Sequence, residues 1–153
     1  MQGLNVLTFQ LMSGTTKYYI MGCYIPPNDL TTLMHIEQAW LDCPRGCIPI
    51  VLGDLNINLA TLRDEHNETV AKQVDAMNLV DMSSHFHQRR GKNSHGQWTW
   101  RMRRGRRWVS SKCDYILGRA TNLGQFMCIS VRLPFCHDSN HCALVAKICA
   151  GGG

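Results

Sequence analysis

No apolar run in this sequence approaches the roughly 20 residues that a membrane-crossing helix needs, so no membrane segment is expected. The opening, "MQGLNVLTFQ", also lacks a basic stretch leading into an apolar core, and without such a signal an intracellular location is expected. Charge is sparse, with Asp, Glu, Lys and Arg making up 18% of 153 residues, and no Glu occurs before Glu37. There is no internal repeat, and only 151–153, three glycines, reads as a flexible tail. The chain has eight cysteines but not the paired spacing of a zinc site. Cys43 and Cys47 are C-x-x-x-C, Cys136 and Cys142 lie farther apart, and Cys23, Cys113, Cys128 and Cys149 sit in apolar, strand-like surroundings. Such cysteines are expected as free, buried, small hydrophobes.

What is present suits one domain, 1–150, with a hydrophobic share of 44% and a net charge of +5. The positive charge is local. Residues 88–108, "QRRGKNSHGQWTWRMRRGRRW", carry eight of the sixteen Lys and Arg residues. A surface this dense in Arg binds polyanions by releasing their counterions. Arg101, Arg103, Arg104, Arg106 and Arg107 are therefore nucleic-acid-binding candidates, with Trp98, Trp100 and Trp108 available to pack on sugars or bases. The plainer alternative is a solvated hairpin whose tryptophans belong to the core.

Hydropathy patterning gives alternating elements. "LNVLTFQL" and "KYYIMGCYI" flank the turn cluster "MSGTT" and read as a β-hairpin. Leu30, Leu33, Met34, Ile36, Trp40 and Leu41 recur at helical spacing, with Asn28 or Asp29 as a cap. "CIPIVLGDL" reads as a central strand buried on both faces. A second helix is expected around Val70, Val74 and Met77, capped near Asn67 or Thr69, followed by strands "QWTWRM", "WVSSKCDYILG", "FMCISVRL" and "CALVAKI". Strands interleave with helices, which indicates an α/β sandwich.

Each polar motif alone is weak. "GDLN" alone reads as a turn, Asp114 has the alternative of a structural Arg partner, and Tyr24 that of a half-buried strand aromatic. Their order is stronger. "YIPPN", "VLGDLNI", "WTW", "KCDYILGR" and "SNHCALV", spread from Tyr18 to Ile148, together resemble the endonuclease/exonuclease/phosphatase superfamily, and most of all the apurinic-type endonuclease domains of LINE-like non-LTR retrotransposons. The resemblance implies a four-layer α/β/β/α sandwich and metal-assisted hydrolysis of a phosphodiester, usually in DNA. It also implies a nuclear place of action and a larger polyprotein carrying a reverse transcriptase. By the same resemblance, Asp54 aligns the attacking water or assists the leaving group, and Asp114 orients His141.

The chemistry of the residues agrees. Phosphodiester hydrolysis needs an aligned water, neutralisation of the phosphoryl oxygens and help for the departing oxygen. Asp54 stands where a buried strand opens to solvent, and Asn56 points the same way if the chain stays extended. An imidazolium at His141 offers charge near neutral pH. A carboxylate at Asp114, in an apolar strand, requires a partner, and Tyr24 has a hydroxyl to present to a phosphate oxygen.

Two departures from the family pattern stand out. The family has an early Asn and then a Glu, usually after a Gln, that holds the metal; neither Asn5 nor Glu37 matches, so an N-terminally incomplete domain is expected. The family's Ser-Asp-His is here Ser139-Asn140-His141. Asn140 is the metal-ligand candidate, but an amide brings no charge, so Mg2+ (or Mn2+) should be held weakly. Asp138 is a candidate to compensate. The other readings are a non-catalytic nucleic-acid-binding remnant and a phosphatase of phosphoinositides or nucleotides.

Overall fold

A computed structural model describes residues 5–61, 64–88, 98–132 and 139–149, without the side chains of 87 and 88. The expectations for Asp138 and the tail 151–153 fall outside these residues. No helix among the described residues is long and apolar enough to cross a membrane.

The hairpin is formed by β1 (Val6–Ser13) and β2 (Thr16–Tyr24), paired from Val6–Cys23 to Ser13–Thr16. Gly14 takes φ of 60° in its two-residue turn, a conformation that costs glycine little. The helix α1 (Thr31–Leu41) then crosses back to β3 (Cys47–Asp54), which pairs parallel to β2. Asp29 closes the start of α1 by accepting the Thr31 N–H at 2.8 Å and the Thr32 hydroxyl at 3.3 Å. Helix α2 (Glu65–Ala76) starts one turn earlier than expected. Its cap is Asp64, which accepts the Asn67 N–H, rather than Asn67 or Thr69. Helix α3 (Met82–Gln88) follows the two-residue strand β4 (Val80–Asp81).

The expected single strand "WVSSKCDYILG" is two. β6 (Arg107–Ser111) pairs with β5 (Trp100–Arg104), and β7 (Asp114–Gly118) pairs with β3 and β4. The break falls at Lys112 and Cys113. After a 3-10 turn, Ala120–Gln125, β8 (Phe126–Arg132) and β9 (Ala143–Ile148) form a second antiparallel pair.

The main sheet runs β1-β2-β3-β7-β4. Tyr19, Met21, Val51 and Leu117 pack under Leu33, Ile36, Val70 and Val74 of the helices on one face. Tyr18, Ile20, Ile50 and Ile116 meet Phe126, Ile129, Leu144 and Ala146 of β8–β9 on the other. Burying each such side chain is worth about 1.5–3 kcal/mol, so this double-sided core fixes β3 as the central strand. Pro49 is tolerated there because pairing with β7 begins only at Ile50. The described layers are thus α1 and α2, the five-stranded sheet, and β8–β9, with α3 packed on the β8–β9 side. On the outward side of that pair, Met127 is 65% exposed.

Candidate active site

The site lies at the rim between the two sheets. Asp54 ends β3 on the face of Ile50 and Leu52, Asp114 begins β7 on the face of Ile116, and the two are direct partners across the antiparallel ladder. Tyr24, last in β2, is the parallel partner of Asp54. Apolar alternation therefore turns polar in three neighbouring strands at one edge. Opposite them, His141 sits just before β9, bridged to Trp100.

Gly53 makes this turn possible. A Cβ there would fall 1.8 Å from the Cys23 carbonyl oxygen, and φ is 151°. Only glycine allows the backbone to approach that closely and deliver Asp54.

His141 Nδ1 lies 3.0 Å from Asp114 Oδ2, and Nε2 lies 3.9 Å from Asp54 Oδ2. The first is a hydrogen bond; the second is beyond hydrogen-bond distance, so the imidazole lies between the two carboxylates. The His141 ring is 39% exposed, against 17% for Asp54 and 20% for Asp114. Burial raises the proton affinity of Asp54 and the nearby Asp114 charge adds to it, opposed by the Asn56 N–H and by His141. Asp114 is seated by Thr99, a wholly buried residue whose hydroxyl accepts the N–H groups of Asp114 at 2.9 Å and Cys113 at 3.1 Å. The Cys113 thiol donates to Asp114 Oδ2 at 3.3 Å.

Asn56 is not extended: φ is 53°, so its side chain does not follow that of Asp54. The turn lets the Asn56 N–H donate to Asp54 Oδ1 at 2.8 Å, while its amide donates to the Ile25 carbonyl at 2.8 Å. Asn56 positions the carboxylate through its backbone. Tyr24 is at the site's edge, 46% exposed. Asn140 is exposed, and its carbonyl accepts the Arg101 N–H at 2.9 Å. Glu37 is on α1, beside Trp40 and Leu41 in a cavity of about 550 Å³ on the helical side.

The basic hairpin is fastened to the same rim. Besides the Arg101–Asn140 bond, the Cys142 N–H donates to the Thr99 carbonyl at 2.7 Å. Arg101 stacks on Trp108 at 3.8 Å and faces Trp98 at 5.3 Å. Trp108 is exposed and Trp98 and Trp100 are half-buried, so the tryptophans divide between packing and surface. Arg103 reaches back to the Gly105 carbonyl, and Arg104, Arg106 and Arg107 are exposed. Among the described residues no carboxylate pairs with any of these five arginines. Thr99 and Cys113 are the site residues that sequence reasoning missed; both stood inside recognised motifs, but their proximity to the carboxylates is tertiary.

Asp54, Cys113, Asp114 and His141 each place a ligand atom within 4.8 Å of the others, a group able to hold a metal ion. The charge-crowded Asp54 suits a hard cation, since Mg2+ is commonly held by one or two carboxylates with the remainder supplied by water and phosphate.

No protein-family model matches the chain, and no curated protein does. Solved structures match over nearly its whole length. The endonuclease domain of TRAS1, a telomere-specific non-LTR retrotransposon, aligns with 94% of this chain and 63% of its own at 15% identity and a TM-score of 0.72. A 3'-5' exonuclease from Neisseria meningitidis aligns over 94% and 64% at 17% identity and a TM-score of 0.64. The AP endonuclease LMAP from Leishmania major aligns over 92% and 53% at 13% identity and a TM-score of 0.67. The chain therefore has the endonuclease/exonuclease/phosphatase fold, as its motifs implied, and spans under two thirds of the length of these structures.

Proposed function

We propose that this chain builds the catalytic rim of a metal-dependent phosphodiesterase that nicks DNA, of the kind carried by non-LTR retrotransposons. The observation that carries this reading is the Asp54, Asp114 and His141 constellation, with Asp114 on Nδ1 and Asp54 on the side of Nε2. Its fold neighbours are nucleases and phosphatases, and one, a 3' phosphatase from Neisseria, was solved with a product DNA hairpin.

Asp54 accepts a proton from the attacking water, a task favoured by the raised proton affinity that burial gives it. The Asn56 N–H fixes one carboxylate oxygen so that the other faces His141. His141, oriented by Asp114, donates from Nε2 to a phosphoryl oxygen, and Tyr24 offers its hydroxyl from the neighbouring strand. Asp54, with the amide of Asn140 nearby in sequence to His141, would hold Mg2+ (or Mn2+), which supplies charge neutralisation when bound. Supercoiled plasmid with Mg2+ tests this. We expect nicks that depend on the metal and disappear in Asp54→Ala and His141→Ala; wild-type nicking that persists in both variants refutes the assignment.

The unpaired arginines favour a second reading, a nucleic-acid-binding module without chemistry. Replacing Arg103, Arg104, Arg106 and Arg107 with Ala should lower the slope of log affinity against log salt by up to about 3–4, near 0.9 for each phosphate no longer neutralised. Metal-independent binding with no nicking selects this reading, and an unchanged slope excludes the hairpin from either.

A further inference from the structure

The donor set at the rim is unusual for a site expected to use Mg2+. Two of its four groups are carboxylates, but the others are an imidazole and a thiol. Mg2+ rarely takes sulfur, whereas one S, one N and two O donors match the tetrahedral preference of zinc. Zinc bonds of roughly 2.0–2.3 Å place ligand atoms about 3.3–3.8 Å apart. The separations from one Asp114 oxygen lie near that range, 3.0 Å to His141 Nδ1 and 3.3 Å to Cys113 Sγ, and no two ligand atoms of the four-atom group lie more than 4.8 Å apart.

We propose that Asp54, Cys113, Asp114 and His141 form a binding site for zinc or a similarly soft divalent cation. Occupation replaces the Asp114–His141 hydrogen bond with metal bonds and takes Asp54 out of use. If the proposed nuclease reading holds, zinc is then an inhibitor competing at the centre that Mg2+ serves.

The thiol is held for this role. Thr99 fixes the Cys113 backbone, its hydroxyl lies 3.8 Å from Sγ, and Cys113 itself is buried. Burial and the two carboxylates keep the metal-free thiol protonated as a donor to Asp114. On binding, the Zn–S bond forms, the S–H bond breaks and the proton leaves to solvent, so the dication reverses the local field that disfavoured the thiolate. The ion enters beside His141, whose ring is the most open of the four.

Co2+ as an optical probe gives a readout that needs no nuclease activity. Titration of the full chain should give one near-ultraviolet thiolate-to-cobalt band, displaced by one equivalent of Zn2+. Cys113→Ser should lose the band and weaken zinc binding by roughly 10–100-fold or more. His141→Ala, at the most exposed ligand, is a second variant with little burden on folding and should weaken zinc comparably. Cys43→Ser/Cys47→Ser, which removes the closely spaced thiol pair elsewhere in the chain, should bind as wild type does. A band that survives in Cys113→Ser, a band lost in the double variant, or zinc affinity unchanged in His141→Ala overturns the proposal. Failure of plasmid nicking bears on the nuclease reading alone.

Discussion

Burial raises the proton affinity of Asp54 in the folded chain, and the neighbouring Asp114 adds to it. The folded state then binds more protons than the unfolded one between the ordinary carboxylate value, about 3.9, and the higher folded value. Stability accordingly falls as pH rises through that window and stays lower at neutral pH. Asp54→Asn retains an oxygen for the Asn56 N–H but removes the buried charge. It should melt at a higher temperature than wild type at pH 7, with the difference closing below about pH 4. Equal melting temperatures at pH 7 would mean that the charge is fully compensated. A residue that costs stability is what the general base proposed at Asp54 requires.

At the scale of elements, the strand ends carry the site, and their register depends on single positions. Gly53→Ala drives a Cβ into the Cys23 carbonyl at a φ that L-residues avoid. Strain of about 1–3 kcal/mol and the clash should lower the midpoint of chemical denaturation markedly; a shift within error would refute the close approach. The same scale shows what sequence could reveal. Alternation marks β1, β2 and β3, and apolar spacing marks α1, because each buries a face with a definite period. The cap of α2 is hidden because its apolar period starts at Val70, more than one and a half turns after the Asp64 cap. Helix α3, "MSSHFHQ", buries Met82 and Ser83 and offers a single apolar i, i+4 pair, Met82 and Phe86, too short a signal to mark a period. The Lys112–Cys113 break is invisible in the sequence because its cause is distant: the Thr99 hydroxyl takes the N–H groups there, and Lys112 turns to Asp81 and the Ser83 hydroxyl. Asp54, Asp114 and His141 are legible as motifs; the turn at Asn56 and the Cys113 thiol are not, being matters of backbone conformation and tertiary proximity.

Across the whole molecule, one edge is apolar and uncovered. Leu7, Phe9 and Leu11 lie on the face of β1 that continues toward the inter-sheet core, and all three are exposed. An exposed apolar edge strand invites pairing between chains. Leu7→Thr/Phe9→Lys/Leu11→Thr should raise the monomer fraction seen by light scattering, whereas an unchanged distribution would show that this face drives no association. The rim with the carboxylates, histidine and hairpin arginines lies where the two sheets meet, so the proposed chemistry and the proposed polyanion binding share one side of the fold. Single-turnover nicking and DNA affinity measured on the same preparation of His141→Ala separate the two most directly. A fall in the nicking rate of about 10²–10⁴-fold with affinity nearly unchanged is the expected result; a nicking rate equal to that of wild type would contradict the proposed site.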